Sequence, residues 1–188
     1  MSGVKGNRRV IYTKKVIKES LIELLQTNEI HEITVTNICK KADINRGTFY
    51  THYNDAFDLL QSMEDELFDK VIEYLNETPF EEYTDALLIK VLGLIAKNKD
   101  LCKILFCRQR DSRIIDKILY ISSKANIEQV ISRSNNINEF NFDYLIRYSV
   151  GGILAIIQVW LENDIVESPS EIVKIINDIN KLNHNCFN

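Results

Sequence analysis

Proline and glycine are scarce in this sequence, whose 188 residues include only two prolines and six glycines. Because both residues interrupt helices, their scarcity permits long helices and leaves no flexible linker visible. The four cysteines show no tight pairing pattern, which argues against a disulfide framework and is consistent with reduced thiols.

The longest apolar stretch, Gly151–Leu161, is too short to cross a bilayer. The basic N-terminus lacks the apolar run of a signal peptide. We therefore expect a cytoplasmic protein without a membrane partner.

Patterns that indicate catalysis or metal binding are also missing. We find no nucleophile–base pair, no glycine-rich phosphate loop and no carboxylate dyad. The three histidines, His31, His52 and His184, are scattered, so they do not form the close spacing of a metal site. We therefore expect no enzyme activity, no metal and no cofactor.

Charge is unevenly distributed along the chain, although the net charge of −4 by itself argues against a nucleic-acid binder. Residues 1–53 hold nine Lys/Arg and five Asp/Glu, a charge of +4, while the remainder holds 14 and 22, a charge of −8. A basic end on an acidic body is typical of a DNA-binding protein with a separate regulatory domain.

Apolar residues recur at helical spacing through the whole chain, and no alternating strand pattern of useful length is present. The fold class we predict is all-α with about nine helices. A basic N-terminal arm at residues 1–9 is followed by a first helix capped by Thr13. We predict two domains: a three-helix head with this arm at residues 1–54, and a helical bundle at residues 55–188. A long helix begins at Asp55, and later segments include a helix from Asp111 and a loop at Ser134–Asn138.

The stretch Thr34–Tyr53 predicts two short helices joined by a tight corner. Thr34 is a good N-cap, and an apolar stripe at helical spacing follows it. Asp43 stands where the chain must turn, and Asp tolerates the left-handed conformation better than most residues. Asn45 then caps a second helix that begins at Arg46. Two helices with such a turn form a helix-turn-helix, whose second helix enters the DNA major groove.

The outward face of that second helix carries groups suited to DNA. Arg46 can bridge two acceptors of a guanine, and Gly47 permits close approach of the backbone. The other side chains offer hydroxyls and an imidazole that can bond phosphates or base edges. The predicted DNA-binding residues are Thr36, Asn45, Arg46, Gly47, Thr48, Tyr50, Thr51, His52 and Tyr53.

The pattern Thr34-Val-x-x-Ile through Arg46-Gly-Thr-Phe-Tyr-x-His-Tyr53 resembles the DNA-binding domain of TetR-type transcriptional regulators, over about residues 10–65. By this resemblance, base-contacting positions match Arg46, Gly47 and Tyr50, and phosphate-binding positions match Thr36, Thr48, His52 and Tyr53. Two residues depart from the family pattern. Asp43 stands at the corner where glycine is usual, and Ala56 replaces a lysine that meets phosphate, which puts one backbone contact in doubt.

The C-terminal region contains two helical segments, 142–163 and 168–182, that we predict to pair with their symmetry copies in a four-helix bundle. Adjacent glycines in the first segment favour close approach of another helix. The dimer-interface candidates are Gly151, Gly152, Ile156, Ile172, Ile175, Ile176 and Ile179. The Gly-Gly, Trp-Leu-Glu-Asn-Asp and Ser-Pro-Ser-Glu pattern is also similar to the C-terminal domain of a TetR-type subgroup of Gram-positive bacteria.

Together these patterns predict a repressor that binds a palindromic operator in double-stranded DNA as a homodimer and is released by an effector. The effector is an unidentified small molecule or protein, and the candidates for its pocket are Arg108, Arg147, Tyr148 and Trp160. The alternative is a helical interaction module that responds to a partner protein and has weak or no specific DNA binding.

Overall fold

The computed structural model describes residues 3–78, 85–108, 117–118 and 139–186, and within these ranges the chain is helical with no β-strand. A 3-10 turn, Ile30–Glu32, precedes the second α-helix, and a π-helical segment, Ile104–Arg108, directly follows the sixth. The eight α-helices of the described part are α1 (Gly3–Leu25), α2 (Val35–Ala42), α3 (Arg46–Tyr50), α4 (Ala56–Glu77), α5 (Asp85–Lys97), α6 (Lys99–Lys103), α7 (Glu139–Glu162) and α8 (Pro169–Cys186). The all-α prediction is confirmed.

Some predicted features lie outside the described residues. They are the loop Ser134–Asn138 and, except for helical residues 117–118, the helix predicted from Asp111.

The chain divides into two compact units, Met1–Asp69 and Lys70–Asn188. Helix α4 begins in the first unit and ends in the second. The boundary predicted between residues 54 and 55 lies at the start of this helix, inside the first unit. The functional division into a DNA-binding domain and an effector domain stays a prediction.

The first unit is built around a small apolar core supplied by α1, α2, α3 and the first half of α4. Five of its side chains are completely buried: Ile17, Leu21, Ile38, Phe49 and Leu59. Two ion pairs brace the outside, one between Lys18 and Glu66 and one between Lys41 and Glu23, where Nζ lies 2.6 Å from Oε2. This packing fixes α2 and α3 on a common support, because one apolar residue from each lies in the same core.

The start of the first helix differs from the prediction. Helix α1 begins at Gly3 and passes through Thr13, which was predicted to be its N-cap. The Thr13 hydroxyl donates to the carbonyl oxygen of Arg9, four residues earlier, at 2.9 Å. A threonine that bonds back to the preceding turn fits inside a helix, so its capping ability does not mark a start here. The segment predicted as a basic N-terminal arm at residues 1–9 belongs to α1 from Gly3 onward.

The second unit places α5 against α8 and α6 against α7. The Asn177 amide of α8 donates to both carboxylate oxygens of Asp85 on α5, each at 3.0 Å. In the π-helical segment, the carbonyl oxygen of Phe106 accepts a 2.7 Å bond from the Gln158 amide of α7. A π-helical segment displaces carbonyls from the regular ladder, so such a side-chain partner satisfies a group that α-helical bonding leaves open.

The turn between α7 and α8 holds two consecutive residues in the left-handed region, Asp164 at φ 61° and Ile165 at φ 59°. This conformation costs a non-glycine residue roughly 1–2 kcal/mol. The Asp164 carboxylate bonds the ammonium groups of Lys99 at 3.0 Å and Lys103 at 3.2 Å, which lowers the pKa of Asp164. The Trp160 indole N–H also donates to the carbonyl oxygen of Glu167 at 2.8 Å. These contacts offset the strain and set the direction in which α8 leaves the turn.

The start of α8 is a capping box formed by Ser168 and Glu171. The backbone N–H of Ser168 donates to Glu171 Oε2 at 2.7 Å, and the N–H of Glu171 donates to Ser168 Oγ at 3.3 Å. Each residue thereby satisfies a donor that the first turn of a helix leaves without an internal partner.

Candidate DNA-binding surface

Two polar caps and one left-handed residue shape the helix-turn-helix. Thr34 Oγ1 accepts the N–H of Asn37 at 3.2 Å, while Asn37 Oδ1 accepts the N–H of Thr34 at 2.9 Å. Asp43 adopts φ 51° and ψ 48° at the end of α2 and turns the chain toward α3. Asn45 Oδ1 then accepts the N–H of Thr48 at 2.7 Å. The predicted corner at Asp43 and the predicted caps at Thr34 and Asn45 are confirmed.

The five-residue helix α3 presents a polar face to solvent. Phe49 points the other way and is completely buried, which anchors the helix in the core. Most of the predicted DNA-binding residues on α3 and its flanks are exposed, and two are half-buried. Asn45, Arg46, Gly47, Tyr50 and Thr51 are exposed, and Thr48 and His52 are half-buried. Thr36 is exposed on α2.

Arg46 and Tyr50 are joined on this exposed face. Arg46 Nη2 donates to the Tyr50 hydroxyl at 3.1 Å, and the guanidinium carbon lies 5.8 Å from the centre of the Tyr50 ring. The hydrogen bond raises the pKa of Arg46, so the guanidinium keeps its charge at every physiological pH. The face therefore offers a fixed positive charge with several N–H donors, as direct reading of a guanine requires.

Gly47 has a structural role next to the cap of α3. A Cβ atom at this position would meet Asn45 Oδ1 at 3.2 Å, closer than most real contacts of that kind. A larger residue would therefore press on the oxygen that caps the helix. We also expect Gly47 to let the backbone approach DNA closely, and this stays a prediction.

Tyr53 lies in the core, which corrects the prediction that it binds phosphate. It is 5% exposed, its ring centre lies 5.9 Å from that of Phe49, and its hydroxyl is buried without a hydrogen-bond partner. Burial raises the pKa of Tyr53 to about 12, and the carboxylates of Glu66 and Asp58 contribute to the increase. The hydroxyl has no surface through which a phosphate oxygen could reach it.

Replacing Tyr53 with phenylalanine is expected to leave DNA binding unchanged and to keep or raise stability. The substitution removes only the buried hydroxyl, and a buried polar group without a partner costs about 1–3 kcal/mol. Urea denaturation and DNA titration of Tyr53→Phe beside the wild type measure both effects. A loss of affinity with unchanged stability would restore Tyr53 to the DNA-binding surface.

The start of α4 is built from carboxylates and gives phosphate little to bind. Asp58 Oδ2 accepts the N–H of Asn54 at 2.7 Å, and Asp55 Oδ1 accepts the N–H of Asp58 at 2.8 Å. Ala56, where the family pattern has lysine, is 3% exposed. A helix N-terminus normally attracts anions, but here two negative side chains occupy its donors. We conclude that this end of α4 is unfavourable for a phosphate contact.

Lys40 is a cation of this surface that is not among the predicted DNA-binding residues. It is exposed on α2, four residues after Thr36, so both side chains lie on the same face of the helix. The neighbouring Lys41 is paired with Glu23, whereas Lys40 has no ion pair within the described part of the chain. The four-residue spacing from Thr36 was the signal that would have identified it.

The predicted dimer surface forms an exposed stripe on α7. Gly151 and Gly152 are exposed, and a Cβ built on either one meets no atom within 4 Å. The glycines therefore serve no close contact among the described residues of this chain. The other exposed members of the stripe are Tyr144, Tyr148, Ala155 and Val159.

Helix α8 continues this surface through Ile175 and Ile179, which are each 41% exposed. The dimer-interface candidates Ile172 and Ile176 are buried within the second unit. A groove of about 320 Å³ lies between the two helices. It is lined by Ala155, Ile156, Val159, Trp160, Asn163, Glu167, Ile172 and Ile175.

Of the four effector-pocket candidates, one lines this groove. Trp160 is 1% exposed and lines the groove, but Arg108, Arg147 and Tyr148 are exposed and do not. No group of three His, Cys, Asp or Glu side chains in the described ranges is arranged to hold a metal. None of the helices, as far as they are described, is long and apolar enough to cross a membrane.

Comparison with known proteins gives matches of three kinds: curated relatives, solved structures and a family model. Two curated relatives are transcriptional regulators. YxbF of Bacillus subtilis (strain 168), named an uncharacterized HTH-type regulator, is 30% identical over 95 residues, which cover 47% of this chain and 25% of that protein. DhaS of Lactococcus lactis subsp. lactis (strain IL1403), named an activator of the dhaKLM operon, is 22% identical over 158 residues, which cover 79% of each protein.

Solved structures share the fold at low identity. A TetR regulator from Streptococcus agalactiae 2603V matches with a TM-score of 0.66 and 20% identity, covering 95% of this chain and 98% of that one. FadR of Bacillus subtilis, solved in complex with stearoyl-CoA, matches with a TM-score of 0.65 and 20% identity, covering 88% and 96%.

A family model places the chain directly. Residues 82–181, more than half of the sequence, match a TetR-type model described as "Transcriptional regulator C-terminal region". The relatives are named as regulators rather than as enzymes. With the helix-turn-helix at residues 34–53 and the helical second unit, this match shows that the chain belongs to the TetR family of transcriptional regulators.

Proposed function

We propose that this TetR-family regulator binds a palindromic operator in double-stranded DNA as a homodimer and represses transcription until an effector releases it. The observation that carries this proposal is the exposed pair of Arg46 and Tyr50 on a capped α3, in a segment whose net charge is +4. The buried Phe49 holds this face outward, so the groups that can read bases need no rearrangement of the core.

Dimerisation is supported by the small size of α3 and by the stripe on α7. A helix of five residues reaches few base pairs, so useful specificity requires a second copy on a two-fold axis. The exposed glycines of α7 leave room for a close helix contact, and Ile175 and Ile179 of α8 add apolar surface. An isologous contact would pair each patch with its own copy, as most homodimers do.

For the effector, we propose a ligand that binds within residues 55–188 and alters the spacing of the two DNA-binding heads. An effector shifts such an equilibrium only by its difference in affinity between the two states. The FadR complex with stearoyl-CoA supports a small molecule as the effector class. The candidates Arg108, Arg147, Tyr148 and Trp160 remain targets for substitution, and of these Trp160 lines the groove between α7 and α8.

Repression is one of two outcomes of operator binding, and the relative DhaS is named an activator. In vitro transcription from a promoter that contains the selected operator distinguishes them. Added protein is expected to lower transcript yield. An increase would instead assign activation.

The alternative function is a helical interaction module without specific DNA binding, and the carboxylates at the start of α4 favour it. Selection from a random pool of double-stranded DNA distinguishes the two functions. We expect recovery of a palindrome whose half-sites lie about one or more helical turns apart. Recovery of no specific sequence would favour the interaction module.

Lys40→Gln is expected to reduce the salt dependence of operator binding. Each phosphate contact by a cation contributes a slope of about −0.9 to log K against log salt, so two heads would lose about 1.8. Lys41→Gln is the matched control, because Glu23 already pairs with Lys41 and its loss should change the slope less. Equal slopes for the wild type and Lys40→Gln would remove Lys40 from the phosphate-binding surface.

A further inference from the structure

Three aromatic and cationic groups form a connected series from the core to the surface of α3. The Tyr50 ring packs edge-on against Phe49, with centres 5.8 Å apart and an interplanar angle of 87°. Phe49 is completely buried, so it is held by the core on all sides. Tyr50 in turn holds Arg46 through its hydroxyl and its ring face. The guanidinium is therefore positioned before any DNA is present.

We propose that Arg46 and Tyr50 act as one reading unit, in which Tyr50 is a positioning residue for Arg46 and the two recognise adjacent base pairs together. This inference rests on the proposed operator binding and adds to it a coupling between the two residues. Preorganisation is the physical reason: a free arginine loses considerable rotamer freedom on binding, and a side chain already held in place loses less.

The chemistry of the pair predicts which bases it selects. One of the five guanidinium donors is used on Tyr50, and the remaining four are enough for the N7 and O6 acceptors of a guanine. Because the Tyr50 oxygen accepts from Arg46, its own proton is free to donate outward. That donor suits an adjacent base that presents an acceptor, such as adenine N7 or thymine O4, and it opposes the amino group of cytosine. The reading unit therefore prefers a guanine beside such a base.

A double-mutant cycle on the full-length protein tests the coupling. Its members are the wild type, Arg46→Ala, Tyr50→Phe and the double variant. Each is titrated with the selected operator and with an operator in which the guanine of each half-site is replaced. Tyr50→Phe keeps the ring against Phe49 and removes only the hydroxyl. It should lower the preference for guanine by about 3-fold or more in the Arg46 background and leave it unchanged in the Arg46→Ala background.

Additive effects in the two backgrounds would overturn the reading unit while leaving operator binding intact. A wild-type protein that selects no operator would instead overturn the proposed function, and the reading unit with it.

A measurement without DNA separates these failures. The NMR signals of the Arg46 Nη–H groups should move in Tyr50→Phe, because Nη2 donates to the Tyr50 hydroxyl, and unmoved signals would show that the pair does not exist in solution. Thermal midpoints should stay equal, because both side chains are exposed.

Discussion

Gly152→Arg is expected to split the homodimer and to abolish operator binding, while each chain stays folded. The glycine lies on the exposed stripe of α7, where an arginine would place a long charged side chain between the two copies. Burying that charge without a partner opposes association. Operator binding then depends on a single head, and loss of the second linked contact lowers affinity by about 10²- to 10⁴-fold.

Folding of the variant chain is expected to be preserved or improved. No atom lies within 4 Å of a Cβ built on Gly152, so the new side chain meets no obstacle within the described chain. Arginine is also the better helix former, by roughly 0.8–1 kcal/mol relative to glycine in a helix interior. A thermal midpoint equal to or above that of the wild type would therefore accompany the loss of the dimer.

Analytical sedimentation and operator titration of Gly152→Arg measure these two effects. Asn76→Arg is the matched control, because it adds the same charge at an exposed position on α4 and should remain dimeric. If Gly152→Arg also remains dimeric, the interface lies elsewhere on the molecule. The proposed assembly through α7 and α8 would then be wrong, whatever the result with DNA.

Arg46→Ala is expected to relax base preference in each half-site of the operator. A bidentate contact between arginine and guanine is worth ~1–3 kcal/mol of discrimination, and a palindrome contains the contact twice. Affinity for the selected operator should therefore fall, while affinity for unrelated DNA changes little. The variant should remain folded, because the Arg46 side chain is exposed and Phe49 keeps the helix in place.

Competition titrations with the selected operator and with random DNA measure this change in preference. Lys14→Ala is the control, since it removes an exposed cation on α1 outside the helix-turn-helix and should leave base preference unaltered. If Arg46→Ala lowers the affinity for both kinds of DNA equally, the arginine only holds phosphate. The reading unit with Tyr50 would then lose its basis as well.

Features that depend on a few neighbouring residues were predictable from the sequence. The left-handed corner at Asp43 and the caps at Thr34, Asn45 and Ser168 are examples. In each case a side-chain oxygen bonds a backbone N–H three residues away, or a residue adopts a conformation that its own side chain tolerates. These interactions are local, so they can be predicted without knowing which distant segments are in contact. The all-α class was predictable for a related reason, because apolar residues recur at the period of a helix.

Features that depend on contacts between distant segments were decided by the tertiary structure. Tyr53 was predicted to bind phosphate because it matches a phosphate-binding position of the family pattern, and only the packing against Phe49 shows that its hydroxyl is covered. The burial of Ala56 could likewise not be predicted from the sequence.

The turn at Asp164 and Ile165 shows the same limit most clearly. The branched side chain of Ile165 makes a left-handed conformation unfavourable, although local backbone bonds such as Ile165 N–H to the Trp160 carbonyl at 2.9 Å help to hold it. Lys99 and Lys103, more than sixty positions earlier in the chain, hold the Asp164 carboxylate and stabilise the turn. The sequence alone thus determined the all-α class, the caps of α2, α3 and α8 and the surface chemistry of α3. Tertiary packing decided which polar atoms stay accessible and where strained backbone is tolerated, because both depend on energies summed over contacts between distant segments.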